Sequence, residues 1–109
     1  MPRFYINDHA SLYYEIHGDE NDKNLIFING LGGTTTMWQL QKNYFSTDFK
    51  TVIYDLRLQG LSLAKKEPFH YSTHVEDLKA LLDHLKIDKA IIIGMSYGSI
   101  IAKEFAIKY

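Results

Sequence analysis

Three short apolar runs, Leu25–Ile28, Thr51–Tyr54 and Ala90–Ile93, alternate with stretches of helical periodicity, and this alternation constrains the chain more than any other feature. Each run lacks the apolar–polar alternation of a strand with one wet face. Such continuous runs mark strands covered on both sides, as in parallel sheets. Between the first two runs, Met37 to Ser46 carries Met37, Leu40, Tyr44 and Phe45 at a helical spacing. Before the third run, Thr73 and Glu76 form a T-x-x-E pattern, with Ser72 just ahead of it, which predicts a capping box. Behind it Val75, Leu78, Leu81, Leu82 and Leu85 fall on one stripe, a strong amphipathic signal. Asp77 and Asp83 are expected on the exposed side of that helix, as solvated charge.

Ahead of the first run, Arg3–Ile6 and Ser11–His17 are β-prone, and the turn-like Asn7–Ala10 between them predicts an antiparallel hairpin. The stretch from Leu56 to His70 reads as irregular, and Ser99 to Tyr109 as the start of a helix. A hairpin followed by alternating strands and helices implies an α/β fold: a mostly parallel sheet with helices on both faces. An open α/β nucleotide binder satisfies this pattern equally well.

Composition narrows the function classes. With 109 residues, 46% of them hydrophobic, and a net charge of −1, the chain suits one small domain and offers no electrostatic footprint for nucleic acid or an anionic membrane. It has no cysteine, so disulfides, thiolate metal sites and cysteine nucleophiles are excluded, and its five histidines form no ligand pattern. The N-terminal stretch has no uninterrupted apolar segment, and no later run is long enough to cross a bilayer. A cytoplasmic protein is expected; oligomeric state is not legible.

The residues that carry chemistry cluster at two strand ends. Gly94-Met95-Ser96-Tyr97-Gly98 places G-x-S-x-G between a buried strand and a helix, the setting of a nucleophile elbow. A strand that turns at once into a helix strains its corner residue, and Gly94 and Gly98 supply clearance. Ser96 is then the candidate nucleophile, exposed where the helix N-terminus favours negative charge. The simpler alternative is a glycine-rich turn with an exposed serine. The second feature, Asn29-Gly30-Leu31-Gly32-Gly33, follows the first buried strand. Acyl transfer needs two N–H donors aimed at the oxyanion, one after the nucleophile and one from a separate loop. Tyr97 and Leu31 are the candidate donors, with Gly30, Gly32 and Gly33 letting the loop bend.

A third segment, Tyr54-Asp55-Leu56-Arg57-Leu58-Gln59-Gly60-Leu61-Ser62, completes an order of motifs that resembles the α/β-hydrolase fold superfamily over nearly the whole chain. The resemblance implies an N-terminal part of an α/β-hydrolase domain over residues 1–109, with the catalytic acid and histidine following later strands. It implies a serine hydrolase acting on an ester, lactone or similar acyl bond of a small-molecule substrate, without a cofactor. It also places Asp55 in a structural D-x-R motif. In that motif Leu58 stands where the family usually has Gly and Gln59 where it often has His, so the local backbone is expected to differ. The Asn29-led loop with Met37-Trp38 after it looks like that of 3-oxoadipate enol-lactonase relatives. His9, His17, His70, His74 and His84 are expected to be surface or structural. The competing readings are a truncated chain that no longer catalyses and a non-catalytic ligand-binding member of the same fold.

Overall fold

The computed structural model describes residues 2–109. The hairpin forms from β1 (Arg3–Asn7) and β2 (Ala10–His17), and β2 continues antiparallel onto β4 (Lys50–Tyr54). At the other side of the sheet β3 (Asn24–Ile28) pairs in parallel with both β4 and β6 (Ile91–Gly94). The strand order is β1-β2-β4-β3-β6, and a two-residue strand β5 (Leu63–Ala64) adds to β2. A single 3₁₀ turn (Thr35–Trp38) and α1 (Gln39–Phe45) connect β3 to β4, α2 (Ser72–His84) connects β4 to β6, and α3 (Tyr97–Lys108) follows β6.

β4 and β6 lie on opposite sides of β3, so the two crossovers travel in opposite directions along the sheet. Crossovers of one hand then deposit their helices on opposite faces. The apolar runs serve both faces by alternation. Ile26, Ile28, Val52 and Tyr54 pack with Leu78 and Leu81 of α2 and Ile101 of α3. Leu25, Phe27 and Ile53 point the other way, to Trp38, Met37 and Phe45. The Phe27 and Trp38 rings lie 4.7 Å apart and form the centre of this second core.

Several local expectations are corrected. In α1, Leu40 and Tyr44 are 81% and 76% exposed. The tighter 3₁₀ turn shifts the helical phase, so Trp38 meets the sheet in their place, beside the expected Met37 and Phe45. The capping box does not form: α2 begins at Ser72, whose N–H donates to His70 Nδ1 at 3.2 Å. Glu76 reaches across to α3, accepting from Lys108 Nζ at 2.6 Å and from the Tyr109 hydroxyl at 2.7 Å. The stretch after Tyr54 is not wholly irregular, since β5 pairs Leu63 with Ser11 and Ala64 with Ala10. Ile91 is 52% exposed because β6, last in the strand order, has β3 as its one neighbour among the described residues.

The Asp77 expectation also fails. Asp77 is buried, and Arg57 Nε and Nη2 each donate to one of its carboxylate oxygens at 2.8 Å. Helical spacing explains the burial, because Asp77 stands one turn before Leu81 and shares its inward face. Asp83 does remain exposed, with Lys79 beside it.

Candidate active site

Ile28 and Gly94 are partners in the parallel register, so the chain leaves β3 and β6 at the same edge of the sheet. The Met95 N–H donates to the Ile28 carbonyl at 3.1 Å, carrying the ladder one step past β6. Ser96 comes next, with φ 54° and ψ −117°, and α3 starts immediately at Tyr97. Few residues other than glycine adopt a positive φ, and holding one there costs about 1–3 kcal/mol. The surroundings enforce it through the two flanking glycines. A Cβ on Gly94 would collide with the backbone of Gly98 and Ser99, and one on Gly98 with the carbonyls of Ile28 and Asn29. The corner leaves Ser96 exposed at the head of α3.

The glycine loop after β3 lies against this corner. A Cβ placed on Gly30 would stand 3.4 Å from the Met95 carbonyl oxygen and 3.5 Å from Ser96 Cβ. The loop itself is a tight turn in which the Gly33 N–H donates to the Gly30 carbonyl at 3.0 Å, with Gly32 at φ +76°. The Gly32 N–H donates to Gln59 Oε1 at 2.7 Å. Gly32 and Gly33 amides are thus engaged, while the Leu31 amide between Gly30 and Gly32 has no acceptor among the described residues. At the head of α3 the Gly98 and Ser99 amides donate to the Met95 and Ser96 carbonyls at 2.9 Å each. The Tyr97 amide precedes them as the first helical N–H, without an intrahelical acceptor. Ser96 and Tyr97 therefore stand where β3 and β6 end, beside the Gly30–Gly33 turn that carries Leu31, with Gly94 and Gly98 giving the corner its clearance.

Two buried polar side chains fix this edge, and their roles are not apparent in the sequence alone. Asn29 is fully buried; its Nδ2 donates to the Tyr54 carbonyl at 3.0 Å, and its Oδ1 accepts from the Trp38 indole at 2.5 Å. It ties the end of β3 to the end of β4 and to the 3₁₀ turn. The Asn29 and Met37-Trp38 features of the sequence thus form one packing unit. Asp55 spends both carboxylate oxygens on backbone amides, those of Thr35 at 2.8 Å and Leu61 at 2.9 Å. Its own carbonyl accepts from the Ser62 hydroxyl at 2.6 Å. Leu58 sits at φ +63°, a conformation suited to glycine, although leucine occupies it.

The histidines lie elsewhere in role. His17 pairs with Glu15 at 2.9 Å, His84 stacks on Phe4 at 4.6 Å, and His70 Nδ1 accepts from the Ser72 N–H at the start of α2. His74 is buried between Phe69 and Tyr97, ring centroids 5.0 and 5.5 Å away, and burial lowers its pKa. A cavity of about 680 Å³ is lined by Leu82, Ile87, Ala90, Ile92 and Phe105, at the opposite end of β6 from Ser96. Among the described residues no helix is long and apolar enough to cross a membrane.

With fold and geometry in view, the chain belongs to the α/β-hydrolase fold family, whose model matches residues 23–109. It is 34% identical to 3-oxoadipate enol-lactonase 2 of Acinetobacter baylyi, aligning over 100% of this chain and 43% of that protein. An alpha/beta hydrolase enzyme from a Medee basin deep-sea metagenome library superposes with a TM-score of 0.93 at 37% identity, covering 99% of this chain and 40% of that one. The enol-lactonase from Burkholderia xenovorans LB400 superposes with a TM-score of 0.85 at 32% identity, over 92% of this chain and 39% of that one. The chain thus spans about two fifths of the length of these relatives.

Proposed function

We propose that this chain carries the nucleophile and the oxyanion hole of a serine hydrolase acting on a lactone, a small ester or a related acyl bond. The observation that carries the reading is the position of Ser96: exposed, on a strained strand-to-helix corner, with the Leu31 loop packed against it. Ser96 Oγ attacks the acyl carbon, and the carbonyl electron pair moves onto oxygen. The Tyr97 and Leu31 N–H groups hold that oxyanion, aided by the positive end of α3. Collapse of the tetrahedral intermediate expels the alcohol and leaves an acyl-serine, which water then hydrolyses.

The serine hydroxyl must lose its proton as it attacks, so a base is required. Among the described residues the Ser96 carbonyl, rather than its hydroxyl, is the group engaged, accepting from the Ser99 hydroxyl at 2.5 Å. The reading therefore assigns the base histidine and its acid partner to residues outside 1–109, after the elbow as in the rest of the family. The enol-lactonase relatives favour a lactone or small ester as substrate class.

The test is hydrolysis of p-nitrophenyl acetate by the protein as its own cells produce it, compared with Ser96→Ala. The proposal expects a loss in kcat of about a thousandfold or more. Turnover unchanged by the substitution would assign the activity to another source, and no turnover in either form would favour the non-catalytic ligand-binding reading.

A further inference from the structure

The glycine loop has two attachments to the segment after β4, and they differ in kind. The deeper one is Asp55, fully enclosed, whose Oδ1 accepts from the Thr35 N–H at 2.8 Å. The outer one is Gln59, whose Oε1 accepts from the Gly32 N–H at 2.7 Å. Sterics do not hold the loop at that outer point, since a Cβ on Gly32 would meet nothing within 4 Å. The turn from Gly30 to Gly33 has φ +76° at its third residue, the sign of a type II turn. Glycine adopts either sign of φ with similar ease, so the peptide between Leu31 and Gly32 is free to flip to the type I arrangement. Such a flip turns the Gly32 N–H away from Gln59 and puts the Leu31 carbonyl in its place, in the turn that lies beside Ser96.

Gln59 is itself rigidly placed. Its N–H donates to the Leu56 carbonyl at 2.9 Å, and its carbonyl accepts from the Ser62 N–H at 3.0 Å. The segment around it is closed by the Leu61 N–H on Asp55 Oδ2 at 2.9 Å. Leu58, immediately before it, is held at φ +63°. A turn pinned this firmly, with Leu58 in a strained conformation, fixes the backbone from which the Gln59 side chain reaches Gly32.

We infer that Gln59 is a positioning residue: its side-chain carbonyl latches the Gly32 amide and so holds the Gly30–Gly33 turn, which carries the Leu31 N–H, in its type II form beside Ser96. The inference rests on the proposed role of Leu31 as an oxyanion donor. It predicts that an acceptor at position 59 matters, while the bulk and burial of the side chain matter little. Glutamate supplies an equivalent acceptor oxygen; leucine matches the volume and supplies none.

The experiment compares wild type, Gln59→Leu, Gln59→Glu and Ser96→Ala in the protein as its own cells produce it. It measures kcat and KM with p-nitrophenyl acetate, and amide hydrogen exchange at Gly32. Q59L is expected to lose about tenfold or more in kcat with KM little changed, and to exchange the Gly32 amide faster. Q59E is expected to recover the Gly32 protection in full and kcat in part, its negative charge opposing the developing oxyanion. If S96A abolishes turnover while Q59L retains wild-type kcat and Gly32 protection, the latch is refuted and the serine reading stands. If turnover is independent of Ser96, the catalytic role of the latch falls with that reading, and only the Gly32 exchange result bears on the hydrogen bond itself. A loss of Gly32 protection in Q59L that Q59E does not recover would overturn the inference by assigning the effect to packing.

Discussion

Arg57 and Asp77 meet in a bidentate pair, two hydrogen bonds of 2.8 Å joining the turn after β4 to the second turn of α2. The pair is largely enclosed, with side-chain exposures of 17% and 5%. Hydrogen bonding to Asp77 raises the Arg57 pKa above its ordinary value, against the opposing effect of burial. The guanidinium also lies 5.9 Å from the centre of the Phe69 ring, which in turn packs on His74. Removing one partner strands a buried charge, which is costlier than losing the pair whole. Asp77→Ala is expected to lower stability by about 3 kcal/mol, measured by urea denaturation. A loss within a few tenths of a kcal/mol would show that the pair is not insulated from water.

His74 gives stability a pH dependence of definite sign. Burial lowers its pKa, Asp77 opposes this, and Arg57 adds to it. The unfolded chain protonates this histidine near its ordinary value of 6.5, while the folded chain keeps it neutral to lower pH. Below that value the unfolded state binds more protons, so the His74 contribution is complete above pH 6.5 and declines as pH falls towards the folded-state pKa. Urea midpoints between about pH 7.5 and pH 5.5 are expected to fall more steeply for wild type than for His74→Gln. Equal slopes would mean His74 is solvated in the folded state.

The end of α2 offers a stabilising substitution. Lys86 N–H donates to the Asp83 carbonyl at 3.1 Å and Ile87 N–H to the Leu82 carbonyl at 2.9 Å, the pattern of a Schellman motif. Lys86 occupies its left-handed position at φ +59° and is exposed. Glycine there relieves the Cβ strain, so Lys86→Gly is expected to raise stability by about 0.5–1 kcal/mol in thermal unfolding. Destabilisation would show that the lysine side chain makes a compensating contact.

Gly98 tests how tightly the serine corner is packed. Its missing side chain is what lets the first turn of α3 approach the carbonyls of Ile28 and Asn29. Gly98→Ala is expected to displace α3 from β3 and cost about 2 kcal/mol or more, through overpacking of backbone against backbone. The measurement is denaturation midpoint together with the rate of ester hydrolysis, both of which are expected to fall. An alanine variant that matched wild type in both would contradict the close approach.

What the sequence makes legible follows from where its signals are local. The apolar runs 25–28, 51–54 and 90–93 specify parallel strands because burial on both faces leaves no polar alternation, and the sheet contains all three. The α2 stripe of Val75, Leu78, Leu81 and Leu82 is buried as its spacing demands. At the candidate site, the strand-to-helix setting of Ser96 and the proximity of Gly30 follow from parallel register between β3 and β6. The rest depends on partners distant along the chain. β5 exists through pairing with β2, more than fifty residues away in sequence. Glu76 leaves its expected cap because Lys108 and Tyr109 reach it from α3. Gln59 meets Gly32 across 27 positions, and nothing local to either announces the contact. Asp77 is different: its place one turn before Leu81 is a local sign of burial, masked by the general exposure of aspartates on helices.

The most direct test of the account is covalent. A fluorophosphonate reacts with an activated serine hydroxyl, releasing fluoride and leaving a phosphonate ester on Oγ. Incubated with the protein as its own cells produce it, the reagent is expected to add a single phosphonyl group. Peptide mapping should place that group on the Gly94–Gly98 segment at Ser96, and Ser96→Ala should abolish it. A protein that is folded, as its circular dichroism would show, and yet remains unlabelled at Ser96 would contradict the nucleophile assignment and leave the chain a member of the family without serine chemistry.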